Sequence, residues 1–297
     1  MTTMVRAHDG RQISVEVSGH PSGSAVFLLH GMPGSRVGPR PRGMRLYQLG
    51  VRLIAFDRPG YGNSDRLLGR TVADIADDVV AIADTLGISN FAVLGRSAGG
   101  PHALACAALM PERVTRAAVL VGLAPPDAEG LEWQAGMAAS NVTAFTIAAN
   151  SLEVLAAKLE PEAAAIRANP AQLLAALDAE MADADRLIVG DVGIKILLMA
   201  AYAEALRASS SGWVDDVLAL ASDWGFDPAS VSVPVLLWHG DRDVFSPPSH
   251  LQWLADRIQF AEVIIQAGAA HFSALSVVPN VLKWLVTGRL SADLASR

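Results

Sequence analysis

Ser97 stands in the pentapeptide Gly95-Arg96-Ser97-Ala98-Gly99, between the apolar run Phe91-Ala92-Val93-Leu94 and a helix-forming stretch at 101–109. Four apolar residues in a row read as a short buried strand, so the serine sits at a strand-to-helix turn. A turn this sharp forces its central residue into a strained backbone conformation. Side chains two positions to either side would strike neighbouring backbone, and glycine at 95 and 99 removes that collision. The hydroxyl is then presented at the carboxyl edge of a sheet, over a helix N-terminus whose free N–H groups favour developing negative charge. Pro101 fits the first helical turn, where its missing N–H is not needed. No G-x-G-x-x-G is present, which disfavours a dinucleotide loop. The choice left at this point is acyl-transfer chemistry or an incidental serine in a glycine-rich loop.

A neutral hydroxyl is a poor nucleophile and needs an adjacent base. Seven histidines are available. His8 and His20 fall in an N-terminal hairpin and read as solvated. His30 belongs to the turn after a buried strand and is expected to hold that turn. His102 lies in the helix after Ser97 and is directed into packing. His239 precedes a glycine at a strand end and reads as structural, and His250 falls on a surface helix. His271 alone occupies a loop directly after the last strand. Among the acids, Asp241 and Asp243 follow one strand and Asp127 follows another. Asp57, Arg58 and Asp65 read as an ion-paired turn.

The elements that must position these groups follow in order. Asp9-Gly10 separates two short strands in a hairpin pattern. Strands are expected at 25–29, 51–56, 91–94, 114–121, 235–238 and 262–265. Thr71 opens a helix, with Asp74 as a capping-box partner and Gly87 as its stop. Further helices are expected at 101–109, 248–258 and 280–286. Repeated strand–helix units imply a mainly parallel sheet covered on both faces. Between 125 and 225 alanine is abundant and strand signals are absent. Helices can be drawn at 131–149, 151–168, 171–182, 185–208 and 213–221. The expected organisation is a core at 1–124 and 226–297, interrupted by a helical insertion at 125–225.

With these pieces in order, the chain resembles an α/β-hydrolase-fold serine hydrolase with an all-helical cap. The resemblance is carried by His30-Gly31 after a buried strand, Asp57-Arg58-Pro59-Gly60-Tyr61-Gly62, Gly95-Arg96-Ser97-Ala98-Gly99, His239-Gly240-Asp241-Arg242-Asp243 and His271. It implies Ser97 as nucleophile, His271 as general base, Asp243 as the acid orienting it, and the backbone N–H groups of Met32 and Ala98 as an oxyanion hole. Asp127 is the alternative acid, because some relatives place it one strand earlier. The implied reaction is hydrolysis of a carboxylic ester or related acyl bond through an acyl-enzyme, with no cofactor and no metal. A lyase or ligand-binding use of the fold is one alternative. An iminopeptidase or amidase is another, although the Gly-Gly-Ser-Trp-Gly pattern of proline iminopeptidases is missing around Ser97.

Composition narrows the classes. The chain of 297 residues is 52% hydrophobic and carries a net charge of −7, with no basic cluster. That gives no general attraction to nucleic acid or an anionic membrane. Cys106 is the single cysteine, which excludes an intrachain disulfide and reads as a buried helix residue. The first residues lack the apolar segment of a secretory signal, so the expected location is cytoplasmic and the expected partner a small-molecule substrate. Two insertion segments, 141–149 and 194–202, carry almost no charge. Helices apolar on most sides need cover on both, so Phe145 and Met199 are candidate substrate contacts and an uncharged, moderately apolar substrate is expected.

Overall fold

The Asp9-Gly10 turn closes a hairpin, with Gly10 at φ 93°, between β1 (Thr2–Arg6) and β2 (Gln12–Gly19). The computed structural model describes residues 2–290. Four apolar strands follow: β3 (Ser24–Leu29), β4 (Val51–Phe56), β5 (Phe91–Arg96) and β6 (Val114–Leu120). After the insertion come β7 (Val235–Gly240) and β8 (Ala261–Gln266). The sheet order is β1-β2-β4-β3-β5-β6-β7-β8; β2 runs antiparallel to both β1 and β4, and the remaining pairings are parallel. This is the α/β-hydrolase fold expected, a mostly parallel sheet flanked by helices.

Parallel strands buried on both faces read as continuous apolar runs, and β7 is buried along its whole length. One face is covered by α2 (Ile75–Thr85) and α3 (Gly99–Leu109), the other by α11 (Ala274–Thr287), with α1 (Gly43–Gln48) beside β2 and β4 and α10 (Pro248–Ala255) beside β7. Asp74 accepts from the Thr71 N–H at 2.6 Å, as the capping pattern predicts, but the helix proper starts only at Ile75. The final helix starts six residues earlier than expected. It runs through Pro279.

Between β6 and β7 the described chain is helical: α4 (Ala139–Ala148), α5 (Leu152–Ala168), α6 (Ala171–Leu177), α7 (Asp183–Gly190), α8 (Val192–Ala205) and α9 (Ser211–Leu220). Two expectations are corrected here. Residues 131–138 are not helical: a turn spans 133–136, with Gly136 at φ 76°. The helix expected at 185–208 is two, broken where the Asp191 side chain caps α8 by accepting from the Ile194 N–H. The requirement of double cover also fails for α8, whose Val192, Ile196 and Leu197 are exposed. Among the described residues no helix is long and apolar enough to cross a membrane.

Candidate active site

The turn from β5 into α3 puts Ser97 at φ 55°, a left-handed conformation costly for a side chain. The neighbouring glycines are sterically obligatory. A Cβ on Gly95 would lie 2.1 Å from the Gly99 carbonyl oxygen, and one on Gly99 would lie 2.1 Å from that of Leu29. The Ser97 N–H donates to the Leu120 carbonyl at 2.8 Å, pinning the turn to the end of β6.

Asp243 and His271 occupy the loops after β7 and β8. His271 Nδ1 lies 2.8 Å from Asp243 Oδ2. An ionised carboxylate only accepts, so Nδ1 carries the proton and Nε2 is the free base nitrogen of the neutral ring. The other carboxylate oxygen accepts from the N–H groups of Phe245 (2.8 Å) and Ser246 (3.0 Å). Burial alone would raise the pKa of Asp243, but His271 and His239 hold it well below the usual carboxylate range. It is therefore charged at neutral pH. Asp127 is exposed and lies on a separate surface depression with Asp223 and Trp224. Asp241 accepts from the Gly268 N–H at 2.7 Å, a turn contact.

Met32 and Ala98 flank Ser97, and neither N–H has a hydrogen-bond partner among the described residues. Their orientation is fixed from behind. In a trans peptide the N–H points opposite the carbonyl. The Gly31 carbonyl accepts from His30 Nδ1 at 2.8 Å and from Arg58 Nη2 at 3.1 Å, so the Met32 N–H faces away from both. The Ser97 carbonyl accepts from the Gly100 N–H at 2.8 Å, which fixes the Ala98 N–H in the same way. His30 thus holds its turn, as expected. Arg58 departs from expectation: its side chain reaches Asp216 of α9 rather than Asp57 or Asp65, and Arg70 and the Tyr61 hydroxyl meet the same carboxylate. Asp57 pairs with Arg36 instead.

The other buried histidines are engaged elsewhere. His102 donates from Nδ1 to the Ala98 carbonyl at 2.7 Å, and burial and the nearby Arg58 push its pKa down to about 3. His239 donates to the Ser246 carbonyl and lies 3.2 Å from Asp243 Oδ2. His250, expected at the surface, is buried, and its two nitrogens meet the Ala124 N–H and the Trp133 carbonyl. The Cys106 thiol is fully buried, which pushes its pKa up.

Met32, Ser97, Ala98 and His271 open onto one cavity of about 160 Å³, roofed by α4, α5 and α6 through Phe145, Leu159 and Leu173. Phe145 lies where a substrate contact was expected. Met199 does not: it packs half-buried against the core outside this lining, and Tyr202 of the same helix reaches the cavity instead. Three contributors were missed in the sequence. Arg96 lines the cavity beside Ser97, so its wall is not uniformly uncharged. The Lys158–Glu162 pair, 2.6 Å apart, lies on its α5 side. Asp185 of α7 reaches the His271 loop. Only Arg96 had a signal, its place next to the serine.

A family model described as the alpha/beta hydrolase fold matches residues 24–276. Over 116 residues, 38% of this chain and 43% of the relative, the chain is 35% identical to a Caulobacter sp. (strain K31) protein provisionally named as the carbamate hydrolase RutD. Over 106 residues, 35% of this chain and 34% of the relative, it is 36% identical to a proline iminopeptidase of Neisseria gonorrhoeae. The chain thus spans less than half the length of these curated relatives. Among solved structures, the enol-lactonase of Burkholderia xenovorans LB400 superposes with a TM-score of 0.70 at 18% identity, covering 99% of this chain and all of that one.

Proposed function

The chain belongs to the α/β-hydrolase family, and we propose that it is a hydrolase that cleaves small carboxylic esters through an acyl-enzyme on Ser97. The observation that carries this reading is the convergence of Ser97, His271 and two unpartnered N–H groups on one cavity, with Asp243 bonded behind His271. Ser97 Oγ attacks the ester carbonyl while His271 Nε2 takes its proton, and Asp243 stabilises the imidazolium. The N–H groups of Met32 and Ala98 receive the oxyanion. The imidazolium protonates the departing alcohol, and a water activated by the same nitrogen then releases the acid. The helical insertion acts as a cap that excludes water and holds the acyl or alcohol part against Phe145, Leu159 and Leu173. A cavity of about 160 Å³ suits an acyl group of a few carbons.

An iminopeptidase would need an unpaired carboxylate for the substrate's ammonium group. Glu162 on the cavity wall is already paired with Lys158, and Arg96 would repel such a substrate. Turnover of 4-nitrophenyl butyrate, abolished in Ser97→Ala, tests the reading. A fluorophosphonate probe should label Ser97 alone. Asp243→Asn should slow turnover by about 10²–10⁴-fold and Asp127→Asn hardly at all. Persistent turnover or labelling in Ser97→Ala would refute the mechanism, and a lyase or binding protein would turn over no ester.

A further inference from the structure

Charges buried in proteins are paired, because an isolated ion loses its hydration without compensation. The interior arginines of this chain obey that rule. Arg36 meets Asp57, and Arg58 and Arg70 both meet Asp216. Arg96 does not. Among the described residues its guanidinium has neither a carboxylate within ion-pair reach nor a hydrogen bond, although the residue is half-buried, on the wall of the Ser97 cavity. Burial lowers its pKa from the ordinary arginine value, with Tyr202, Asp185 and Asp243 acting in the opposite direction. It nonetheless stays charged at neutral pH.

The neighbouring carboxylates are committed elsewhere. Asp243 is taken by His271, His239 and two N–H groups, Asp185 bonds the Phe272 N–H through one oxygen and lies outside ion-pair reach of Arg96, and Glu162 is paired with Lys158. Tyr202 shares the same wall, and its hydroxyl also lacks a hydrogen bond to any described residue. Burial pushes its pKa up to about 12, so it remains a donor. Gly31 keeps the space between Arg96 and Ser97 open. A Cβ at 31 would lie 3.3 Å from Arg96 Nη2 and 3.5 Å from the Ser97 Cβ, so guanidinium and nucleophile flank one point.

We propose that Arg96, with the Tyr202 hydroxyl, forms a carboxylate-binding subsite in the floor of the Ser97 cavity. The preferred substrates are then esters bearing a carboxylate a few bonds from the scissile carbonyl, such as hemiesters of short dicarboxylic acids. The inference rests on the ester-hydrolase reading and deepens it. A planar guanidinium matches a carboxylate in a two-bond fork, and the apolar cap side takes the uncharged part of the molecule.

The test compares 4-nitrophenyl hydrogen succinate with 4-nitrophenyl butyrate, which differ in a terminal carboxylate against a methyl. Wild-type kcat/KM should favour the succinate by about 10-fold or more, the scale of a charged hydrogen bond. Arg96→Gln should reduce that ratio at least about 10-fold, and Arg96→Lys, which keeps charge but loses the fork, by less. Should the Arg96 variants fail to fold, Tyr202→Phe should still lower the ratio. Calorimetry on Ser97→Ala should detect monomethyl succinate and not methyl butyrate. A wild-type preference for butyrate, a ratio indifferent to Arg96→Gln, or equal binding of the two methyl esters overturns the subsite. Failure to hydrolyse either nitrophenyl ester overturns the ester-hydrolase reading instead, and the calorimetry then decides the subsite alone.

Discussion

Asp185 Oδ1 accepts the Phe272 N–H at 2.6 Å, so a carboxylate of α7 in the helical insertion holds the residue next to His271. Asp185 is fully buried and its second oxygen has no partner in the described structure. Burial accordingly raises its pKa, though the nearby His271 pulls the other way. A buried acceptor with one bond is retained for that bond, and its role is to position the His271 loop from the insertion side. Asp185→Asn keeps an acceptor oxygen and should retain most activity. Asp185→Ala leaves the Phe272 N–H unsatisfied and should lower kcat about 10-fold with KM little changed, a charged hydrogen bond being worth about 1.5–3 kcal/mol. Equal kcat in the two variants, measured on folded protein, would exclude a positioning role.

Arg58 acts from behind the His30–Met32 turn. It binds the carbonyls of His30 and Gly31 and thereby aims the Met32 N–H. Losing one oxyanion donor costs about 10²–10³ in rate. Arg58→Met should therefore lower kcat by up to that factor on protein that remains folded. Its kcat would stay near wild type if the Gly31–Met32 peptide were held by His30 alone.

The parts of this site legible in the sequence are those whose signals are local. Gly95 and Gly99 mark the Ser97 turn because backbone atoms two ångströms away forbid any other residue. His271 and Asp243 follow strands whose apolar runs mark their ends. The parts that were not legible depend on contacts between distant segments. Nothing in the sequence around Asp216 announces that Arg58, Arg70 and Tyr61 meet it, because the partners lie some 150 positions away. In the alanine-rich insertion, where small residues suit buried and exposed positions alike, the apolar period is weak. Hence Met199 was placed on the cavity wall when Tyr202 holds that position, and residues 131–138 read as helix. His250 read as exposed because its partners, the Ala124 N–H and the Trp133 carbonyl, come from a distant loop.

The Asp216 cluster makes stability depend on acid in a defined direction. Burial alone would raise the Asp216 pKa, but Arg58 and Arg70 hold it far below the usual carboxylate range. Folding therefore favours the ionised form. The resulting stability is fully present above the unfolded pKa of about 3.9 and is lost as pH falls toward the folded value. Asp216→Asn should cost about 3–5 kcal/mol at pH 7, since it leaves two buried guanidinium groups without a counter-charge. Denaturant unfolding of both proteins should show that difference shrinking below about pH 4, by up to about 1.4 kcal/mol per pH unit. A difference constant from pH 7 to pH 3 would mean that the carboxylate is not held ionised by its partners.

Phe145 sets the depth of the cavity. Its ring is 3% exposed and meets Trp133 edge-on at 4.8 Å, and Trp133 is tied by its Nε1–H to the Ala124 carbonyl at 2.8 Å. The ring is thus clamped between the core and the space above Ser97. Truncation does two things at once. It removes buried apolar contacts, which for phenylalanine costs about 3–5 kcal/mol, and it lengthens the cavity along α4. Phe145→Ala should therefore melt at a lower temperature. On the protein still folded at 20 °C, the preferred 4-nitrophenyl ester should shift from short acyl chains to chains longer by two to four carbons, because the volume of a phenyl ring is about that of such a chain. A chain-length profile that keeps its wild-type maximum while overall stability falls would place Phe145 in the core alone and move the acyl group elsewhere in the cavity.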